Sequence, residues 1–124
     1  MVERRLVSVV DDDESVRESL PDFLRSFGHE VLPFASADEF LQCTDDVDRT
    51  GCLILDVAMP GMSGIELQLE LARRDCNIPI VFITAISDSA VGRQVLTRGA
   101  VACLSKPFSE GALLDAVTAA LGSH

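Results

Sequence analysis

Five side chains able to do chemistry stand at corresponding points along this 124-residue chain. Asp11 and Asp12 follow the apolar run Leu6 to Val10, and Asp56 closes the run Cys52 to Leu55. Thr84 ends the stretch IPIVFIT, and Lys106 follows the run Ala100 to Leu104. Three carboxylates gathered in one crevice repel one another and raise each other's proton affinity unless a cation sits among them. Carboxylate oxygens with positions left open for water suit Mg²⁺, with Mn²⁺ as a substitute. On that reading Asp12 and Asp56 bind directly, Asp11 through water, and the backbone carbonyl of Ala58 adds a further oxygen. A carboxylate nucleophile, a metal, a hydroxyl and a lysine together make a phosphoryl-accepting site. Lys106 then neutralises phosphoryl oxygens and Thr84 hydrogen-bonds one of them. Each residue also has a plainer use: the Asp triplet as a helix cap, Thr84 as a turn hydroxyl, Lys106 as a surface cation.

The elements that would position this set read as alternating strands and helices. Short continuous apolar runs are what strands buried on both faces of a parallel sheet require. They are Leu6 to Val10, Glu30 to Phe34, Cys52 to Leu55, Ile78 to Thr84 and Ala100 to Leu104. Pro33 places the second near a sheet edge. Helices are expected from the Asp triplet to Phe27, from Ser36 to Cys43, from Gly64 to Arg74, from Asp88 to Arg98 and from Ser109 to Leu121. Asp12 or Asp13 caps the first, Pro21 kinks or loosens it, and Gly28 closes it. Ser36 with Glu39 makes a capping box. Thr44 to Thr50, being polar, reads as a loop. Gly92 weakens the fourth helix by about 1 kcal/mol relative to alanine. The fold class is α/β, a five-stranded doubly wound parallel sheet of order 2-1-3-4-5 with helices on both faces. In that order strands one and three flank the switch point, which brings Asp11 and Asp12 beside Asp56.

Composition narrows the class of function. The chain is 48% hydrophobic and 24% charged, which is ordinary for one folded domain. Its formal net charge of −10 argues against direct nucleic-acid or anionic-membrane binding. Cys43, Cys52, Cys76 and Cys103 lack ligand spacing and are expected to be buried reduced thiols. The N-terminus has neither a signal peptide nor a membrane span, so a cytoplasmic location is expected.

The stretches VVDDDESVRESL, LILDVAMPGMSGIEL, PIVFITA and GAVACLSKPF resemble a response-regulator receiver domain over the full length and in the expected order. Details such as VRESL, FASADEF and DVAMPGMSG resemble the branch fused to LuxR-type DNA-binding domains. The resemblance implies a flavodoxin-like fold and a receiver domain over residues 1–121, with 122–124 a tail or the cut of a longer chain. It implies that a sensor histidine kinase phosphorylates Asp56 with Mg²⁺ required. It also implies a cis Lys106–Pro107 bond and transcriptional output through a DNA-binding domain outside this chain. The expected output is a change of the face made by the fourth helix, fifth strand and last helix, which allows a phosphorylation-dependent homodimer. Catalysis is limited to the domain's own phosphorylation and slow dephosphorylation.

Two positions depart from the pattern. The family usually has an aromatic residue three places before its lysine, where this chain has Cys103. After Thr84 the branch commonly carries Gly-His-Gly-Asp, where this chain has Ala85, Ile86, Ser87 and Asp88. Signalling is therefore assigned to Thr84 and Cys103, with movement of the Ala85 to Asp88 loop and the helix after it. Ala58 and Ile86 stand where polar side chains would orient a hydrolytic water, so the phosphorylated form is expected to be long-lived. A hydrolase with an aspartyl-phosphate intermediate is the enzymatic rival. Such enzymes set a second acid two residues after the nucleophile, where this chain has Ala58. A flavodoxin-like cofactor binder and a non-phosphorylated interaction module are the remaining alternatives.

Overall fold

The computed structural model describes residues 5–84 and 89–122. Five strands, β1 (Leu6–Val10), β2 (Val31–Phe34), β3 (Thr50–Asp56), β4 (Ile80–Thr84) and β5 (Ala102–Ser105), form one parallel sheet of order β2-β1-β3-β4-β5. The helices described are α1 (Glu14–Arg25), α2 (Ala37–Gln42), α3 (Thr44–Arg49), α4 (Gly64–Arg73), α5 (Ser89–Thr97) and α6 (Glu110–Leu121). Alternate residues of each strand feed opposite faces of the sheet. Val7, Val9, Cys52, Ile54, Val81 and Ile83 pack with α1 and α6. Val10, Leu53, Leu55, Ile80 and Phe82 pack with α2, α4 and Val95 of α5. The strands read as unbroken apolar runs because both faces are covered.

Local chemistry sets the helix ends. Asp13 caps α1, its carboxylate accepting Ser15 N–H at 2.9 Å. The helix continues through the buried Pro21, and Gly28 takes a left-handed φ of +90° beyond its end. Ser36 Oγ accepts Glu39 N–H, while the Glu39 carboxylate reaches back to Ala35 N–H. At α4 the capping box is complete: Ser63 Oγ accepts Glu66 N–H, and Glu66 accepts Ser63 N–H. β2 lies at the sheet edge, as Pro33 requires.

Three expectations need correction. The polar stretch expected to be a loop forms α3, and Thr50 already belongs to β3. α3 lacks both a buried side chain and a side-chain cap bond, so it leaves no apolar periodicity to read. The sheet is therefore accompanied by six described helices instead of five. The four cysteines are free, yet only Cys52 is buried; Cys43, Cys76 and Cys103 keep partial exposure because they sit at the margins of the core. The expected loop Ala85 to Asp88 lies outside the described residues.

Candidate functional site

The strand ends converge at one edge of the sheet. Val10 pairs with Leu55 across β1 and β3, so the next residues, Asp11 and Asp56, emerge side by side. Asp11 is fully buried and Asp56 is 6% exposed, while Asp12 faces solvent. One carboxylate oxygen from each of Asp11, Asp12 and Asp56 lies within 4.8 Å of the others. Lys106 Nζ is 3.2 Å from Asp11 Oδ2 and 4.0 Å from Asp56 Oδ2. Four of the sequence-derived residues thus meet at one point.

The backbone holds these groups in place. Asp11 Oδ1 accepts Asp13 N–H at 2.9 Å, and Arg17 Nη1 donates to the Asp11 carbonyl at 3.1 Å. Ala58 N–H donates to Asp56 Oδ1 at 3.4 Å. The chain then turns through Gly61, whose φ of +75° is left-handed, and returns so that Gly64 N–H meets the Val57 carbonyl at 3.0 Å. A Cβ on Gly64 would lie 2.2 Å from the Asp56 carbonyl oxygen. Only glycine allows α4 to start so close to the acidic strand end. The turn-forming signal at Gly64 was legible in the sequence; this close approach, the Arg17 bond and the Ser63–Glu66 box were not singled out.

Thr84 ends β4 and is 8% exposed. Asp56 pairs with Ile83, so Thr84 lies one residue beyond the acid. It pairs with Ser105, and its carbonyl accepts Lys106 N–H at 2.7 Å. By strand alternation Thr84 shares the parity of Ile80 and Phe82, whereas Asp11 and Asp56 share that of Val9 and Ile54. The backbone therefore ties Thr84 to Lys106 at the same edge of the sheet. Cys103 lies on β5 opposite α5, where a Cβ on Gly92 would meet its Sγ at 3.9 Å. The Lys106–Pro107 bond is cis. Ile86 lies outside the described residues.

The charge balance of the crevice is unfavourable without a cation. The Asp56 carboxyl is pushed up to about 6, mainly by burial, with the Asp11 carboxylate adding to the rise and Lys106 opposing it. A lysine shared between two buried acids leaves a surplus of negative charge, and the third acid beside them adds to it. Hard oxygen donors in this arrangement fit a small divalent cation such as Mg²⁺.

The chain belongs to the response regulator receiver domain family, whose model matches residues 7–118. Members of this family are the phosphoacceptor domains of two-component response regulators, phosphorylated by sensor kinases. The chain is similar to Nodulation protein W of Bradyrhizobium diazoefficiens, 50% identical over 117 residues, covering 94% of this chain and 51% of that protein. It is also similar to the transcriptional regulatory protein FixJ of Azorhizobium caulinodans, 41% identical over 122 residues, covering 98% of this chain and 57% of that protein. The crystal structure of FixJ-N superposes with a TM-score of 0.88 at 34% identity, covering 99% of this chain and 98% of that one. The chain spans about half the length of the curated relatives it matches.

Proposed function

We propose that Asp56 is the phosphoacceptor of this receiver domain. The observation carrying this reading is that three strand ends gather Asp11, Asp12 and Asp56, with one carboxylate oxygen of each within 4.8 Å of the others, and bring Lys106 within salt-bridge reach of Asp11 and Asp56. An Asp56 carboxylate oxygen attacks the phosphorus of a phosphohistidine on a sensor kinase; the P–N bond breaks and the imidazole leaves. The product is an acyl phosphate. Ala58 N–H orients the carboxylate for attack, and Lys106 moves from Asp11 toward the phosphoryl oxygens. Thr84 turns its hydroxyl to another of these oxygens. Asp12, Asp56, the Ala58 carbonyl and, through water, Asp11 would hold Mg²⁺, which when bound supplies charge neutralisation for the transferring group.

The output proposed is a rearrangement of the face formed by α5, β5 and α6, with Thr84 and Cys103 carrying the signal. That face allows a phosphorylation-dependent homodimer. The similarity to proteins described as transcriptional regulators supports transcription as the process controlled, through a DNA-binding domain outside this chain. Among the described residues no helix is long and apolar enough to cross a membrane. With a kinase partner of this kind, we place the domain in the cytoplasm, spanning residues 1–121.

Acetyl phosphate with Mg²⁺ tests the acceptor. One phosphoryl group is expected per chain, absent in Asp56→Asn, and Lys106→Ala is expected to retain metal binding but switch poorly. Mg²⁺ should raise the melting temperature by mass action, and Asp12→Ala should remove that rise. Labelling that survives Asp56→Asn sinks the assignment.

A further inference from the structure

One buried polar side chain bridges α4 and α5. Gln68 sits on the inner side of α4 with Leu67 and Leu71 and is only 6% exposed. Its Nε2 donates to the Val95 carbonyl at 3.3 Å. That carbonyl also accepts Ala100 N–H at 3.0 Å, the bond that closes the last turn of α5 before Gly99 swings to a left-handed φ of +98°. The amide therefore holds the point at which α5 ends. Its other atom, Oε1, is buried and has no hydrogen-bond partner among the described residues. Turning the amide round would set two oxygens against each other, so the orientation is fixed by Val95. A cavity of about 410 Å³ opens beside this same helix end, lined by Gln68, Leu71, Ile78, Arg98 and Val101 among others.

A half-satisfied amide is a poor choice for packing alone, because leucine fills similar space without an orphaned acceptor. What glutamine adds is one directional bond. Side-chain burial fixes α5 at one point: among its described side chains only Val95 is buried, and Leu96 is 45% exposed. The other end of the helix follows Thr84 after four residues. The signal thus enters α5 at its N-terminal end, and the amide grips the C-terminal end.

We propose that Gln68 is a positioning residue for the output helix. It latches the C-terminal end of α5 to α4, so that α5 answers phosphorylation by swinging its N-terminal half about Val95 instead of sliding whole along the sheet. This rests on the acceptor reading above for the signal, and on the geometry alone for the latch. Six helical steps lead from Ser89 to Val95, a lever arm of about 9 Å.

Amide exchange on the full chain, with and without acetyl phosphate and Mg²⁺, tests this with Gln68→Leu and Gln68→Asn. Without phosphodonor both variants should exchange faster at Gly99 and Ala100 by a factor of about 5, the weight of one net hydrogen bond. Amides of Leu53 to Asp56 should stay as protected as in wild type. With phosphodonor, wild-type changes should be confined to the N-terminal half of α5, and those of the variants should reach Ala100. Unaltered exchange at Ala100 in Gln68→Leu overturns the latch, as does loosening of β3 to the same degree, which marks a packing role. Wild-type protein that takes no phosphoryl group overturns the acceptor reading instead, and exchange without phosphodonor then still decides the latch.

Discussion

β3 and β5 lie two strands apart in the same sheet, yet they are held very differently. Every residue of β3 is buried, and its side chains feed both core layers. β5, at the edge, has three half-covered residues and one exposed one, and the helix beside it buries a single described side chain. β3 carries the acid; β5 and α5 form the face proposed to report its state. The chemistry proposed at Asp56 needs its carboxylate fixed against Ala58 N–H and Lys106, because positioning supplies most of the rate in phosphoryl transfer. A reporter needs the opposite, a second arrangement within a few kcal/mol of the first. The uneven burial separates these two demands within one small domain.

Core truncation is the strongest way to break this contrast. Ile54, fully buried in β3, should cost about 2–5 kcal/mol as Ile54→Ala. Leu96, on the exposed side of α5, should change stability by no more than about 0.5 kcal/mol as Leu96→Ala. Urea unfolding of both variants decides it. Equal losses would show α5 to be as firmly built as the central strand.

A finer probe stiffens the loose side. Gly92 lies inside α5, and an added Cβ would make only ordinary contact with Cys103 Sγ at 3.9 Å. Gly92→Ala should therefore stabilise the helix by about 1 kcal/mol, with no steric penalty to offset the gain. Amide exchange over α5 should slow while β3 is unaffected. If α5 moves as proposed, the same variant should show a smaller exchange change on phosphorylation. A variant that exchanges like wild type would show that helix propensity is not what leaves α5 loose.

Legibility in the sequence followed the same division. β3 and β4 were readable because burial on both faces demands continuous apolar runs, and a carboxylate ending such a run is costly without a function. Asp11, Asp12, Asp56 and Lys106 could be brought together on paper because right-handed crossovers leave few strand orders. α3 was missed because none of its six residues is fully buried and only Val47 leans on the core. Gln68 was missed because a polar residue on a helix reads as a solvated face, and its partner is a backbone carbonyl 27 positions away. Thr84 was legible as the end of β4, because a hydroxyl closes an unbroken apolar run, and register sets it one position beyond the residue opposite Asp56.

The weakest effect concerns the wall against which α5 rests. If α4 belongs to the firm half of the molecule, its last turn should be held as well as its first. Glu70 accepts bonds from Arg73 Nη2 at 2.6 Å and from Arg74 Nε at 2.6 Å, so both guanidinium groups converge on one carboxylate. Those hydrogen bonds hold the Glu70 carboxyl down at about 2, below its ordinary 4.5. A carboxyl lowered on folding stabilises the native state above its unfolded value and loses that contribution as pH falls through its folded one. The support from Glu70 is thus complete above about pH 4.5 and gone below about pH 2. Because the group lies at the surface, solvent and salt weaken it, so bulk unfolding should barely register the loss. Carbon NMR of the Glu70 carboxyl should show it: a midpoint near 2 at low salt, rising toward 4.5 in concentrated salt and in Arg74→Ala. A midpoint already near 4.5 at low salt would mean that the two arginines do not fasten the end of α4, and that the rigid half of the molecule stops short of the turn beyond Gln68.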